Sequence, residues 1–367
     1  MKYVIDVFPI AWFCLLLWGM KPVRPFSSLN SEYLSLKTGN YMRGFFALAI
    51  VLNHVSKNTT DGFILRGFHD IGFLFVGVFF FYSGYGLMKS YMASADYKKH
   101  FPARRIPPIL VTYLIINVLY CILFEMTGRD IGLKDYELMF KEGYPVALYS
   151  WYIITILIFY FVFWLLMELC GSHYMMIIMG ACLWYFLYFR FCRNMKYGMW
   201  WYNSGHLLMV GMFWALFEAK ILDVIRKHYL LLVILNWGLF AFSYWYEYYS
   251  LLNRHKPEYS MSVIMQMLCV LFFVLGIVLF LLKFTVGNPI LGFLGKISLE
   301  LYLVQGLCMQ FFLKDNIPGI QSEAVNTLLV IAGTIALGAA LHYLLAGPTK
   351  RYKSWIDKKT VQTGNLA

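Results

Sequence analysis

The chain has 367 residues, 60% hydrophobic and only 14% charged, and carries a formal net charge of +12. A soluble domain holds nearer a quarter charged residues, so most of this chain must be solvated by lipid. Topology and anionic lipid account for the positive balance, and no nucleic-acid partner is needed.

Windows of about twenty apolar residues predict eleven spans. They lie near 3–20, 42–56, 71–92, 106–126, 150–169, 174–190, 200–217, 229–250, 261–282, 289–313 and 325–346. No internal repeat or low-complexity tract accompanies them, and no room is left for a soluble domain. The first stretch matches a signal peptide in length only. Asp6 interrupts it, and Lys21, Pro22 and Arg24 follow where a small-residue cleavage site would stand, so it reads as a retained span. With the basic tail (Lys350, Arg351, Lys353, Lys358 and Lys359) in the cytoplasm, most Lys and Arg fall on the inner side. The odd number of spans then predicts an outer N-terminus and an inner C-terminus.

The second span carries the most informative pair, Arg43 and His54, which bracket an otherwise almost wholly apolar run, RGFFALAIVLNH. Eleven steps make about three helical turns, so both side chains share one face, ~16 Å apart along the axis. A charged group at mid-membrane costs ~3 kcal/mol on insertion scales, so this stripe asks for a purpose. Asn53 sits beside the histidine. The third span ends in FFFYSGYGLMKSY, where Ser83 offers a hydroxyl between Gly84 and the aromatics.

Lys98, Lys99, Arg104 and Arg105 load the next cytoplasmic loop, and Arg105-Ile106-Pro107-Pro108 is expected to open the fourth span. Proline suits a first helical turn, and arginines at a helix N-terminus suit phosphate. Positive-inside anchoring explains the same residues without a ligand. Late in the chain, GKISLELYLVQ puts Ser298, Tyr302 and Gln305 on one helix face, with Glu300 off it. These side chains suggest a polar cavity, or hydrogen bonding between helices. The seven cysteines fall mostly in or beside apolar spans and form no CxxC, which fits buried thiols better than disulfides or metal ligands. No HExxH, GxSxG or Walker sequence occurs.

Four of these motifs in this order resemble the acyltransferase-3 family: Arg-x10-His, FFxxSGY, Arg-Ile-x-Pro and a late GxxSxxxYL. Ser150-Trp151-Tyr152 and Pro348 fit the same pattern. The resemblance covers about residues 40–350. It implies an all-α, polytopic transmembrane helix bundle, with a ten-helix acyltransferase-3-like core and one extra N-terminal span. The division is then 1–38 for the extra span and its linker, 39–350 for the membrane acyltransferase domain, and 351–367 for the basic tail. Two departures stand out: Pro102 occupies the first position of the Arg-x-x-Arg seen in many relatives, and Gln305 replaces a histidine.

The activity so implied is O-acyl transfer, most simply of acetyl, from cytoplasmic acyl-CoA to a hydroxyl of an extracytoplasmic glycan or glycolipid at the plasma membrane. His54 would act as general base or as transient acyl carrier, and Arg43 would steady the donor or the polarised carbonyl. Arg104, Arg105, Lys98 and Lys99 would meet the CoA phosphates. Asn53, Ser83, Ser298, Glu300, Tyr302 and Gln305 would line the substrate cavity. No metal is called for, and membrane lipid is the expected surrounding. Two alternatives remain: a multi-span transporter or flippase with a polar midplane site, and a catalytically degenerate relative that acts in binding.

Overall fold

The computed structural model describes residues 3–25, 27–94, 96–128, 131–249, 260–312 and 322–364, with side chains described to residue 357. Its helices are α1 (Val7–Leu17), α2 (Leu36–Ser56), α3 (Gly72–Ala93), α4 (Tyr97–Met126), α5 (Leu133–Glu142), α6 (Trp151–Cys170), α7 (Tyr174–Asn194), α8 (Leu207–Tyr249), α9 (Ser260–Leu281), α10 (Pro289–Lys296), α11 (Ser298–Phe312) and α12 (Glu323–Gly364). A two-residue antiparallel pairing, β1 (Lys21–Pro22) with β2 (Phe284–Thr285), is the extended structure among them.

Six of these helices are long and apolar enough to cross a membrane: α3, α4, α6, α7, α9 and α12. The α10 and α11 pair makes a seventh if it counts as one span. The all-α membrane character is therefore present, while the eleven expected spans are matched in part. Stretch 3–20 forms a 3-10 turn, Val4–Asp6, and an eleven-residue α1, shorter than a bilayer needs. The start expected at 200 is a 3-10 turn, Met199–Trp201, and the helix begins at Leu207. The two spans expected at 200–217 and 229–250 are joined within α8, whose backbone leaves helical geometry at Phe217 and His228.

The chain divides into two compact units. The first comprises residues 1–89, 185–192 and 198–296, and the second residues 90–184, 193–197 and 297–367.

In the first unit, α2 is buried at every residue from Gly44 to Ser56. A helix that is apolar on all sides belongs inside a bundle, which is why this segment needs no amphipathic stripe. Ser35 caps it by accepting from the Thr38 N–H at 3.2 Å. Small residues then let neighbours close in: a Cβ on Gly44 would lie 2.5 Å from the Leu291 carbonyl oxygen, and one on Gly84 would lie 1.8 Å from that of Leu208. Asp6, the residue that interrupts the first apolar stretch, is buried and accepts from the backbone N–H groups of Phe63, Ile64 and Leu65 at 2.9–3.0 Å. Its carboxylate is thus satisfied by three backbone donors at the start of α1.

In the second unit, α4 packs on α6 through Phe101, whose ring meets Tyr160 and Phe163 at 5.7 Å. The outer flank of α4 leaves Val111, Leu114, Val118 and Ile122 exposed. Such a flank is stable where lipid solvates it. Buried Phe101 also explains a departure. The helix starts at Tyr97, so Pro102, Pro107 and Pro108 lie inside it rather than in a first turn. The helix N-terminus expected beside Arg104 and Arg105 is about two turns earlier in the chain.

Candidate functional site

The unbroken α2 carries Arg43 and His54 on one face, as helix geometry requires of residues eleven apart. His54 is buried near the last turn, and its carbonyl accepts from the Asn58 amide at 2.9 Å. Arg43 is half-buried. One of its guanidinium nitrogens stands 3.5 Å from Asn40 Oδ1, and its charge acts on the Tyr82 phenol. The Tyr82 hydroxyl is itself buried and makes no hydrogen bond among the described residues. Gly39 packs against the same ring. Arg43 therefore sits in a small polar recess built by Asn40, Gly39 and Tyr82.

Other residues of the first unit play parts the sequence did not announce. Asn53, expected in a cavity, donates its amide to the carbonyls of Phe68 and His69 and so anchors the turn after α2. Ser83 is half-buried on α3. Glu218, beside the α8 break at Phe217, accepts from Tyr33 at 2.5 Å and Tyr85 at 3.0 Å and pairs with Lys89. The Tyr33 hydroxyl in turn accepts from Trp214 Nε1 at 2.9 Å. The first charge after the apolar run 207–217 was the available signal for this cluster. A second chain of amides joins Asn203 to Gln266 and Gln266 to Glu247, at 3.0 and 2.8 Å.

In the second unit the polar side chains of the late motif are buried. Ser298, Glu300 and Tyr302 are each under a tenth exposed, and Gln305 is fully enclosed. Tyr302 donates to the Tyr149 carbonyl and its ring meets Tyr152 at 5.5 Å, while Gln305 donates to the Tyr302 carbonyl at 2.9 Å. Tyr302 thus ties α11 to the segment before α6, where its hydroxyl also fixes Tyr149 in a positive-φ conformation. Glu300, off that stripe, meets His342 of α12, Oε1 to Nδ1, at 3.0 Å. His342 is a further residue that sequence reasoning missed, although it shows the signal that marked His54: one imidazole in an apolar run.

The four cations expected to hold phosphate all lie on the first turns of α4. Arg104 pairs with Asp357 of α12, Lys98 with Glu168 at 3.2 Å, and Lys99 with Asp96 at 3.0 Å. Arg105 lies beside the Tyr97 hydroxyl. These ion pairs range from about one-third to about two-thirds exposed, so each contributes little, and an incoming phosphate can compete for the cations.

The family model described as "Acyltransferase domain" matches residues 39–344. The chain belongs to the acyltransferase-3 family. No curated protein and no solved structure matches it. The matched region of this family member begins within α2, four residues before Arg43, and ends two residues after His342, so all four ordered motifs lie inside it and Pro348 lies four residues beyond. Together with its long apolar helices, membership makes the chain a multi-pass protein of a membrane acyltransferase family.

Proposed function

We propose that this acyltransferase-3 protein moves an acyl group, most simply acetyl, from cytoplasmic acyl-CoA to a hydroxyl of an extracytoplasmic glycan or glycolipid. The observation that carries the reading is the intact Arg43–His54 pair on a helix buried on every side. An imidazole is enclosed there where only apolar packing would be cheapest. The acceptor hydroxyl gives its proton to His54 as its oxygen attacks the thioester carbonyl. The C–S bond breaks, an ester forms, and CoA leaves as its thiol. Alternatively, the imidazole nitrogen first attacks the thioester, the C–S bond breaks and CoA leaves as its thiol with the imidazole's proton; the hydroxyl then takes the acyl group and its proton returns to the imidazole. The Arg43 guanidinium, about three turns from His54 and turned toward Asn40, suits the donor's phosphate end. Lys98, Lys99, Arg104 and Arg105 are assigned to the CoA phosphates, and Ser83, Ser298 and Tyr302 to the walls that receive substrate.

The direct test supplies labelled acetyl-CoA to membranes containing the protein and follows label into glycan and glycolipid. Label transfer that depends on the protein supports the reading, and none with any acceptor fraction sinks it.

The reading also requires the end of α2 bearing His54 to face outward and residues 21–35 to face the cytoplasm. In a background free of native cysteines, Phe63→Cys, which is 79% exposed, should react with a membrane-impermeant maleimide on intact cells. Ser27→Cys should react only after the membrane is opened. The opposite pattern would place the histidine on the wrong side for an extracytoplasmic acceptor.

A further inference from the structure

Within the second unit, α12 turns His342, Ala346, Lys350, Lys353 and Asp357 to one side at successive steps of three or four residues. They line a cavity of about 540 Å³ closed by Pro108 and Thr112 of α4 and by Leu299 and Glu300 of α11. None of the acyl-transfer chemistry above uses this cavity.

Its inner end holds an unmet demand. Glu300 is 7% exposed; Oε1 meets His342, but Oε2 is buried and makes no hydrogen bond among the described residues. A buried carboxylate oxygen without a donor is costly. The nearest hydroxyl on α4 does not answer it, because Thr112 donates to the Pro108 carbonyl at 2.9 Å. At the mouth, Lys350 and Lys353 are exposed, and their side chains lean toward the helix N-terminus and so toward the cavity. Asp357, the other acid at the mouth, is engaged by Arg104. The cavity therefore offers a free acceptor at depth and two ammonium groups at the rim. Its occupant needs a hydrogen-bond donor at one end and an anion at the other.

The surroundings say where that occupant comes from. Leu344 and Tyr343 on α12 and Val111 and Leu114 on α4 flank the cavity and are roughly half to three-quarters exposed. Both helices are apolar enough to span a membrane. Below them, Tyr352 and Trp355 stack on each other, with Trp355 largely exposed, in the manner of side chains at a bilayer interface. We propose that the cavity is a glycerophospholipid head-group site, in which Lys350 and Lys353 hold the phosphate and Glu300 accepts from a hydroxyl or ammonium on the head group. The assignment does not require acyl transfer, but the two readings share Arg104, which here stays on Asp357.

Purified full-length protein in detergent, offered phosphatidylglycerol, phosphatidylethanolamine or phosphatidylcholine and read by native mass spectrometry, tests it. The first two lipids should be retained well above phosphatidylcholine, whose trimethylammonium has no hydrogen to donate. Lys350→Gln/Lys353→Gln should weaken that retention roughly thirtyfold, and these lysines are exposed, so the fold should survive. Glu300→Gln should erase the preference over phosphatidylcholine; if this variant loses its monodisperse peak, the lysine pair and the lipid comparison decide alone. Equal retention of all three lipids would overturn the assignment. So would displacement of bound lipid by free CoA, which would place the cavity in the donor's path.

Discussion

His54→Ala is expected to lower acyl transfer by ~10²–10⁴-fold, the usual range for loss of a general base, while the protein still inserts and purifies normally. The side chain is buried at the end of α2, and what its backbone contributes, a carbonyl accepting from Asn58, survives the substitution. Truncating a buried imidazole leaves a small cavity, so a modest fall in thermal midpoint is expected beside the catalytic loss. His54→Gln separates the two effects: it fills the space and keeps hydrogen-bonding capacity but accepts no proton at useful pH. Equal inactivity of both variants in well-folded protein supports proton transfer or acyl carriage. Activity within a few-fold of the parent in His54→Gln would reduce His54 to a packing residue.

Much of the helical frame was readable because lipid imposes a length and a composition on any segment that crosses it. The same rule misled where other forces decided. Stretch 3–20 folds as a 3-10 turn and α1, a shorter helix than its apolar length suggests, because three backbone N–H groups of residues 63–65 hold Asp6 at its start. The α4 start differs from the expected one because Pro107 and Pro108 resemble a first turn, whereas Phe101 buried against Tyr160 and Phe163 carries the helix back to Tyr97. At the candidate site, Arg43 and His54 were legible because a polar pair at helical spacing is costly in an apolar run. Glu218 and His342 carry only a local polarity signal and Tyr82 none, since each gains its meaning from a partner distant in sequence. The Glu300–His342 pair joins residues 42 apart, and nothing in either local stretch announces the other.

Replacing Arg104 and Arg105 together by Gln should weaken acyl-CoA use ten- to a hundredfold, chiefly through KM. Loss of one charge-assisted hydrogen bond to phosphate typically costs ~1.5–3 kcal/mol, which sets that range. The helix N-terminus lies two turns away, so the expected affinity rests on guanidinium groups alone, without backbone N–H donors. Arg104 must also leave Asp357 to bind phosphate. The exchange is cheap, because that ion pair is about half exposed and water and salt already weaken it. Asp357→Asn gives the opposite sign: it frees Arg104 and should lower KM or leave it unchanged. A purely topological role for the arginines predicts something else, normal KM in correctly inserted double variant and only reduced insertion. If both arginine replacements leave acyl-CoA affinity intact in purified protein, these residues are membrane anchors, and the donor's phosphates must be met by other cations of the chain.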